Sequence, residues 1–372
     1  MKKVILVGGG ISGLISAIQL ARAGISCMLF EKKTYPFHRV CGEYISNETL
    51  PFLQGHELFP DQFKPPNINQ FELSSVSGKS KKLTLGLGGF GVSRFAFDHF
   101  LYKRAIESGV EVVLQQEVDS VNFIENANHF EVTTGQQTFI SDFVIGSFGK
   151  RSRLDQGLSR AFLERKSPYV GVKYHILGDH PRHLISLHNF NGGYCGISNI
   201  EDGKSNLCYL VHRNLLKRHK TISELEQQVL MKNPFLKNIF STSEFLFEKP
   251  ETINEISFET KEPVLNHILM AGDAAGMIAP LCGNGMAMAI HSGKLVSEII
   301  IQAVNENLKR EWVENMYSLK WKKLFASRLW AGRVIQNNLF GSEWSSRMAV
   351  ALTMHLPPLA NFIVRNTHGK PF

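Results

Sequence analysis

The chain has 372 residues, of which 43% are apolar and 20% are charged, a composition typical of a folded protein with a substantial core rather than of a disordered one. Its five cysteines form no CxxC pair and are odd in number, so they suggest neither a disulfide framework nor a zinc site and fit a reducing cytoplasm. The net charge of +8 raises the question of nucleic-acid binding, but no nucleic-acid motif accompanies it, so we expect no such partner.

The N-terminal residues predict a strand, a glycine-rich turn and a helix in succession. Residues 3–7 are typical of a buried parallel strand, and apolar residues recur at helical spacing after the turn. The turn has the pattern GxGxxG, whose glycines allow a tight turn, close approach to a pyrophosphate and helix packing. A second strand ends in an acid that can accept hydrogen bonds from both ribose hydroxyls. The candidate cofactor-binding residues of this unit are Gly8, Gly10, Ile11, Ser12, Gly13, Glu31 and Lys32.

A second glycine pattern, Gly86-x-Gly88-x-x-Gly91, follows a short strand-like run at 82–85. No acid ends a further strand about 20 residues later, as a dinucleotide site requires. We therefore predict a β-turn or loop here and a single dinucleotide site in the chain.

Residues 267–273 predict another strand, which delivers an aspartate to a loop before a glycine-rich helix start and a helical run over 286–301. Such a loop can hold a polyol and then an anion, because a helix N-terminus is electropositive. An alternative role for the aspartate is that of a helix N-cap. The candidate residues of this second unit are Gly272, Asp273, Gly283, Asn284, Gly285 and Met286.

Residues 271–293, with the pattern AGDAAGxxxPxxGxGxxxAxxSG, resemble the GD motif of the FAD-dependent family that includes geranylgeranyl reductases and aromatic-ring hydroxylases. The resemblance implies that Asp273 binds the ribityl chain of FAD. It also implies that the helix beginning near Gly285 points its positive end at the flavin and stabilises the anionic reduced form.

Two further segments are similar to the same family. Residues 37–43 (FHRVCGE) resemble its PxxxxCGG segment, which implies that Arg39 and Cys41 lie near the flavin as candidate catalytic residues, with Arg39 also contacting the cofactor. Cys41 can equally be a small buried residue. Residues 93–109 resemble its SRxxFDxxLxxxAxxxG helix, which implies that Arg94 contacts the cofactor. A cation at a helix start is unfavourable by itself, so we expect Arg94 to hold an anion.

The match fails at particular positions. Phe148 stands where the family's DG motif has an aspartate, which weakens the case for a hydroxylase driven by NAD(P)H. Gly196 and Asn199 replace a tryptophan and a proline of the middle segment, and the small Gly196 suggests a wider pocket. The WxWxIP segment expected of the halogenase branch is absent.

The resemblance implies an α/β fold: a Rossmann-type FAD-binding domain, a second domain with an antiparallel substrate sheet, and C-terminal helices. We place the discontinuous FAD-binding domain at 1–50, 91–165 and 255–305, the substrate domain at 51–90 and 166–254, and a helical cap at 306–372. Strands are expected near 169–176, 184–188 and 206–212, and a capping box at Thr221 is expected to open a helix through Met231.

The C-terminal segment 309–333 has seven Lys or Arg against two Glu, a local net charge of +5. Its three tryptophans are nine residues apart, about 2.5 helical turns, so Trp321 should face away from Trp312 and Trp330. This pattern fits either a structural cap with a solvated basic face or a peripheral contact with a membrane.

We therefore predict a cytoplasmic FAD-dependent oxidoreductase, with membrane association through 309–333 as an option. By resemblance to geranylgeranyl reductases, it is expected to reduce C=C bonds of a hydrophobic substrate such as an isoprenoid or polyketide lipid. An aromatic monooxygenase and a flavin-bound scaffold or sensor are the alternatives. NAD(P)H is a candidate electron donor.

Overall fold

The computed structural model describes residues 2–164, 167–254, 256–339, 342–355 and 368–372. In chain order, the strands within these ranges are β1 (Lys3–Val7), β2 (Ser26–Glu31), β3 (Tyr44–Ser46), β4 (Asn67–Ser74), β5 (Ser80–Gly91), β6 (Glu111–Leu114), β7 (Ser120–Ile124), β8 (His129–Thr134), β9 (Gln137–Ser141), β10 (Phe143–Gly146), β11 (Tyr169–Leu177), β12 (Leu184–Phe190), β13 (Gly193–Asn199), β14 (Ser205–His212), β15 (Glu244–Phe245), β16 (Glu251–Ile253), β17 (Val264–Leu265) and β18 (Ile268–Met270). The helices of the same ranges are α1 (Ile11–Arg22), α2 (Leu50–Gly55), α3 (Arg94–Glu107), α4 (Arg153–Gly157), α5 (Arg213–Leu216), α6 (Ile222–Gln228), α7 (Pro234–Thr242), α8 (Gly285–Asn305), α9 (Arg310–Leu339) and α10 (Glu343–His355).

A six-stranded sheet in the order β17-β18-β10-β1-β2-β6 forms the base of the predicted cofactor site. Its strands are parallel except for β17, and their apolar side chains lie in one large core with α1, α3 and α8. α1 packs closely on α8, because a Cβ on Gly293 would lie 2.7 Å from the Ser12 carbonyl oxygen. The Ser16 hydroxyl donates to the Gly293 carbonyl at 3.2 Å. This crossing brings the N-terminal and GD segments together.

A nine-stranded sheet in the order β15-β11-β14-β13-β12-β4-β5-β3, with β16 also pairing β11, forms the second layer. Its pairs are antiparallel except for the parallel pair of β4 and β12. The outer face packs on α6 and α7 through Leu225 and Leu236, and on the turn between these helices through Leu230. The opposite face, called the inner face below, turns toward the segment 38–43 and α10.

The structure confirms the predicted strands in the substrate region as β11, β12 and β14 and the predicted Rossmann elements as β1, α1 and β2. Thr221 caps α6 as expected, accepting from the Glu224 amide at 3.0 Å, but α6 ends at Gln228 rather than at Met231. The domain division stays a prediction; β3, from the predicted range 1–50, pairs with β5 in the nine-stranded sheet.

The prediction of a turn at residues 86–91 was wrong, because these glycines lie within β5. Gly89 and Gly91 are needed for close strand packing, whereas Gly88 has φ 67° and Gly86 is not crowded by the described residues. A Cβ on Gly91 would lie 1.8 Å from the Asn199 carbonyl oxygen, and one on Gly89 would lie 2.4 Å from that of Ile45. Sequence spacing cannot distinguish this crowding from a loop.

Candidate functional site

The glycine-rich turn lies between β1 and α1, at the carboxyl end of the parallel sheet, where α/β folds bind ligands. Gly8 has φ 103°, and a Cβ on Gly13 would lie 2.2 Å from the Gly8 carbonyl oxygen, so both positions require glycine. At Gly10 the nearest atom to an added Cβ is the Ser147 carbonyl oxygen at 3.9 Å. The turn is therefore tightly packed at Gly8 and Gly13, whereas Gly10 is not crowded by its neighbours.

Two helix N-termini face the site without a cap from the described residues. α1 begins at Ile11 and Ser12 after Gly10, and α8 begins at Gly285 and Met286. Neither helix has a side-chain cap bond or an acidic residue in its first turn. Because uncapped amides and the helix dipole favour anions, this arrangement fits the diphosphate and the flavin end of FAD.

Glu31 ends β2 and is buried beside the glycine turn. Its Oε2 accepts from the Gly9 amide at 2.9 Å, and its Oε1 accepts from the Lys33 amide at 3.0 Å. The Arg39 guanidinium lies 3.3 Å from Oε2. Lys32, in contrast, is exposed and lies 3.4 Å from Glu117. The predicted ribose acid is thus fixed in position, whereas Lys32 points away into a surface pair.

Arg94, at the start of α3, donates two hydrogen bonds to Asp98 on the same helix, both at 2.7 Å. Asp98 is 1% exposed and also lies 3.3 Å from the Arg39 guanidinium. The anion that Arg94 holds in the structure is therefore Asp98. Burial would lower the pKa of the Arg94 guanidinium, but the Asp98 carboxylate raises it, and the Asp273 carboxylate acts in the same direction. The Arg39 guanidinium lies between the predicted ribose acid, Glu31, and Asp98.

The GD loop follows β18 and contacts the glycine turn directly. A Cβ on Gly272 would lie 2.6 Å from the Ser12 hydroxyl, and the Gly272 amide donates to Ser292 at 3.0 Å. Asp273 is half-buried; burial raises the pKa of its carboxyl, and the Lys261 ammonium is the largest opposing influence. The two distant sequence motifs are therefore joined at one point of the fold.

The loop before α8 is held by a buried acid that sequence reasoning missed. Glu48 is fully buried; its Oε1 lies 3.4 Å from the Asn284 amide nitrogen and 2.9 Å from the Arg328 guanidinium of α9. Gly283 lies against the Tyr44 ring, which an added Cβ would approach to 3.3 Å. No periodicity or motif singles out Glu48, because its partner comes from the far end of the chain.

The segment 38–43 lies between the two sheets. Asn206 and Ser198, on the inner face, donate to the Cys41 and Gly42 carbonyls at 3.1 Å and 2.9 Å. Burial raises the pKa of the Cys41 thiol, so Cys41 is a neutral thiol at pH 7. This protonation state does not favour a thiolate nucleophile.

Glu43 anchors that segment from beneath. Its carboxylate lies 2.5 Å from the Lys173 ammonium and 2.7 Å from His175, and it accepts from the Arg94 amide at 2.7 Å. Burial alone would raise the pKa of Glu43, but Lys173 and His175 more than offset it and lower the pKa to about 2. Both partners were missed, although they are polar residues that alternate with apolar ones along β11.

His38 closes this cluster toward the surface. Its ring stacks on Phe95 with centroids 4.6 Å apart and meets the His175 ring edge to face at 5.1 Å. Burial, followed by Lys173, lowers the pKa of His38 to about 4. His38 is therefore neutral at pH 7.

The inner face presents a row of side chains from five neighbouring strands. Lys173, Cys208, Gly196, Leu187 and Leu73 are successive register partners across β11, β14, β13, β12 and β4. Toward α10 the face becomes apolar, with Leu73, Leu187, Tyr194 and Leu210 packed near Ala349 and Val350. Among the described residues, and apart from its chain neighbours, the single atom within 4 Å of a Cβ added at Gly196 is the Cys208 carbonyl oxygen at 3.6 Å, so these residues leave the middle of the row open.

Phe148, which replaces the aspartate of the DG motif, packs against the six-stranded sheet. Its ring would lie 2.8 Å from a Cβ on Gly146, and it belongs to the partly buried margin of the core. It therefore adds apolar contact at the carboxyl end of β10 and no polar group.

Comparison with known proteins places these observations in a family. A family model described as "FAD binding domain" matches residues 1–317. The chain is 25% identical to conditioned medium factor receptor 1 of Dictyostelium discoideum over 96% of this chain and 71% of that protein. It is 24% identical to digeranylgeranylglycerophospholipid reductase 1 of Methanopyrus kandleri over 90% of both chains.

The fold is also similar to that of a flavin-dependent brominase, Bmp2. The TM-score is 0.77 at 18% sequence identity, covering 98% of this chain and 92% of the brominase. This likeness concerns the fold alone.

Proposed function

Because the chain belongs to the FAD-binding-domain family and is an FAD-dependent oxidoreductase, we propose that it reduces C=C bonds of a hydrophobic isoprenoid or polyketide lipid. When bound, FAD supplies the two-electron chemistry of this reaction. The residues that would hold it are those of the glycine turn with Glu31, the Asp273 loop, and the N-terminus of α8. The open, uncapped helix ends and the fixed acid fit such a cofactor.

The observation that carries the substrate proposal is the inner face beside Cys41 and Gly42. Toward α10 this face is apolar and buried at Leu73, Leu187 and Leu210, and beside Gly196 the described residues leave room for a side chain. Apolar surroundings favour a hydrocarbon, since burying apolar surface contributes roughly 25 cal/mol per Å². The reductases among the relatives are named for a lipid with geranylgeranyl chains, which supports the same substrate class.

Within this proposal, the segment 38–43 presents its backbone and the neutral Cys41 thiol to the space between the sheets. Glu43, which belongs to that segment, is held in place by Lys173 and His175. The charged groups of this cluster are buried beneath the segment and are not exposed to the space between the sheets. Arg39 and Arg94 would contribute positive charge toward the adenosine and diphosphate portion of the cofactor. We infer these roles from position.

The test is to reduce the bound flavin chemically without oxygen and to add a digeranylgeranyl phospholipid or a polyketide lipid. We expect reoxidation of the flavin and a product heavier by two hydrogens, because a hydride and a proton add across one C=C bond. NADH and NADPH, offered separately to the oxidised protein under nitrogen, would identify the electron donor by bleaching of the flavin absorbance. A flavin that no substrate reoxidises would instead support a scaffold or sensor.

An aromatic monooxygenase is the second candidate, since the family includes hydroxylases. It requires reoxidation only in air and one labelled oxygen atom in the product. The replacement of the DG aspartate by Phe148 favours the reductase, because an apolar ring offers no group to organise a pyridine nucleotide. The likeness to a brominase does not extend to halogenation, since the WxWxIP segment is absent.

We further propose that α9 and α10 contact an anionic membrane, from which a lipid substrate would come. On α9, Leu319, Trp330 and Val334 share one exposed face, at 66%, 62% and 40% exposure. Exposed lysines lie on or beside that face: Lys320, Lys322 and Lys323. On α10, Trp344 and Met348 are 71% and 47% exposed. Exposed aromatic and aliphatic residues among lysines are typical of a peripheral membrane surface.

Three arginines of the segment 309–333 are bound to other parts of the protein, so they add little positive charge to its surface. Arg328 is buried against Glu48, and Arg310 and Arg333 donate to the backbone carbonyls of Asp142 and Phe258. The basic segment therefore meets solvent mainly through its lysines. Trp321 is buried against Gly276, opposite the exposed Trp330, as the helical spacing predicts. Trp312, which was expected on the side of Trp330, is half-buried and packs against the large core instead. No helix in the described residues is both long and apolar enough to span a bilayer.

A further inference from the structure

Two buried cations hold the loop that carries Asp273. The Lys261 ammonium donates to the Asp273 carbonyl at 2.8 Å, and the Arg160 guanidinium donates to the next carbonyl, that of Ala274, at 2.8 Å. Lys261 is 3% exposed and Arg160 is 2% exposed. Neither residue belongs to a motif of the sequence, and both lie outside the glycine turn and the GD segment. We call Lys261 and Arg160 the cation pair.

The same residues connect this loop to its neighbours. Lys261 also donates to the Lys150 carbonyl at 2.6 Å, in the loop that follows β10. Arg160 also lies 3.1 Å from the Asp155 carboxylate and donates to the Glu262 carbonyl at 3.1 Å. The cation pair thus ties together the carboxyl-end loops of the adjacent parallel strands β10 and β18, where the cofactor site lies.

The charges of the two cations are balanced differently. Arg160 has the buried Asp155 at 3.1 Å, whereas both hydrogen bonds of Lys261 go to neutral carbonyls. Both cations lie over the Phe162 ring, Lys261 at 4.2 Å and Arg160 at 5.4 Å from its centroid. A buried ammonium without a closely paired carboxylate costs free energy unless a nearby negative group interacts with it.

The Asp273 carboxylate is the negative group that we expect to interact with the Lys261 ammonium. Lys261 is the largest of the cations that oppose the effect of burial on Asp273, ahead of Arg94, Lys150 and Arg39. An ionised Asp273 accepts hydrogen bonds from hydroxyls, whereas a protonated one loses acceptor capacity and charge.

We propose that Lys261, supported by Arg160, is a positioning residue of the cofactor site: it joins the Asp273 carbonyl to the Lys150 carbonyl of the neighbouring loop and keeps the Asp273 carboxylate ionised for the cofactor's hydroxyls. This inference rests on the proposed role of Asp273 as the ribityl ligand.

The protonation of Lys261 should make FAD binding depend on pH. The charged groups around Lys261 are Asp273, Asp155, Arg160 and Glu262; burial outweighs the acids among them and lowers the pKa of Lys261 to about 8. FAD affinity should therefore fall as the pH rises through about 8 and Lys261 loses its proton. The stability of the apoprotein should respond in the opposite sense, because the folded state binds fewer protons than the unfolded state between about pH 8 and 10.5, which makes stability rise there.

The experiment measures the FAD dissociation constant of the full chain between pH 6.5 and 9.5, for the natural protein and for Lys261→Met. We expect the FAD affinity of the natural protein to fall about 10-fold across this range, which is the lower end of what the loss of a charged hydrogen bond costs. Lys261→Met should bind FAD weakly at every pH in the range. Lys249→Met, at an exposed lysine shortly before β16, is the matched control and should keep the natural profile.

Asp273→Asn separates this inference from its premise. Weaker FAD binding by Asp273→Asn, together with a smaller effect of Lys261→Met in that background, supports the coupling of the two residues. Weaker binding by Asp273→Asn but not by Lys261→Met overturns the role of Lys261 alone. Unchanged binding by Asp273→Asn overturns both assignments. If Lys261→Met does not fold, a flat pH profile of the natural protein overturns the proposal and a sloping one supports it.

Discussion

The Gly9 amide donates a hydrogen bond to Glu31 Oε2 at 2.9 Å, so the acid at the end of β2 is held by the glycine turn that it serves. The Glu31 side chain is therefore already oriented before a ribose binds. Preorganisation of this kind lowers the cost of ordering the site on binding.

Replacing Glu31 by alanine should weaken FAD binding by about 1.5 to 3 kcal/mol, which is roughly 10- to 150-fold in the dissociation constant. The loss arises from the charged hydrogen bonds to the ribose and from the released Gly9 amide. Titration of the apoprotein with FAD measures it. Glu111→Ala, at an exposed acid of the same sheet, should bind FAD normally. An unchanged constant for Glu31→Ala would remove Glu31 from the ribose site.

Glu43→Gln should destabilise the folded protein by about 3 to 5 kcal/mol at pH 7, because it leaves the buried Lys173 ammonium without its carboxylate. Since the folded-state pKa of Glu43, about 2, lies below the ordinary 4.5, its contribution is full above about pH 5 and is lost as the pH falls toward 2. Urea unfolding at a fixed FAD concentration should show the two proteins converging in acid.

The control for Glu43 is Asp202→Asn, which removes an exposed partner of Lys204 and should cost less than about 1 kcal/mol. A constant difference between Glu43→Gln and the natural protein from pH 7 to pH 3 would contradict the ionised state assigned to Glu43.

Gly196→Leu should fill the open middle of the inner face and obstruct the hydrophobic substrate. A size mismatch in a hydrophobic pocket is worth about 1 to 3 kcal/mol, which predicts a loss of roughly 5- to 150-fold in substrate affinity with an unchanged FAD dissociation constant. Gly196→Ala is the size control and should be tolerated, since no described residue apart from the chain neighbours comes closer than 3.6 Å to its Cβ. Substrate-driven reoxidation of the reduced flavin is the measurement; equal rates for both variants would place the substrate elsewhere.

Changing Lys320, Lys322 and Lys323 together to glutamine should reduce binding to vesicles of phosphatidylcholine with phosphatidylserine. Each lysine near such a surface contributes about 1 kcal/mol, so the combined loss is roughly 100-fold at low salt and less at 0.1 M, where the Debye length is about 10 Å. The matched control changes the exposed Lys79, Lys81 and Lys82 of the substrate region. Equal sedimentation with anionic and neutral vesicles would make the segment a structural cap.

Local patterns in the sequence predicted much of the candidate cofactor site. Strand, glycine turn, helix and acid follow one another within the first 31 residues, so short-range sterics and helix electrostatics suffice to predict them. The GD segment is equally local. The three strands β11, β12 and β14 of the nine-stranded sheet were also predicted from the sequence, and their residues are nearly all buried.

The tertiary structure alone decided which distant residues meet. Glu48 pairs with Arg328, Glu43 with Lys173, and Lys261 with the Asp273 loop, and none of these pairs shares a motif or a helical spacing. A buried charge is costly in the low dielectric of the interior unless an opposite charge lies beside it. Its partner must be close in space but can come from any position in the sequence. For the same reason the glycines of β5 were misread, since the backbone that crowds Gly91 comes from Asn199 on a different strand.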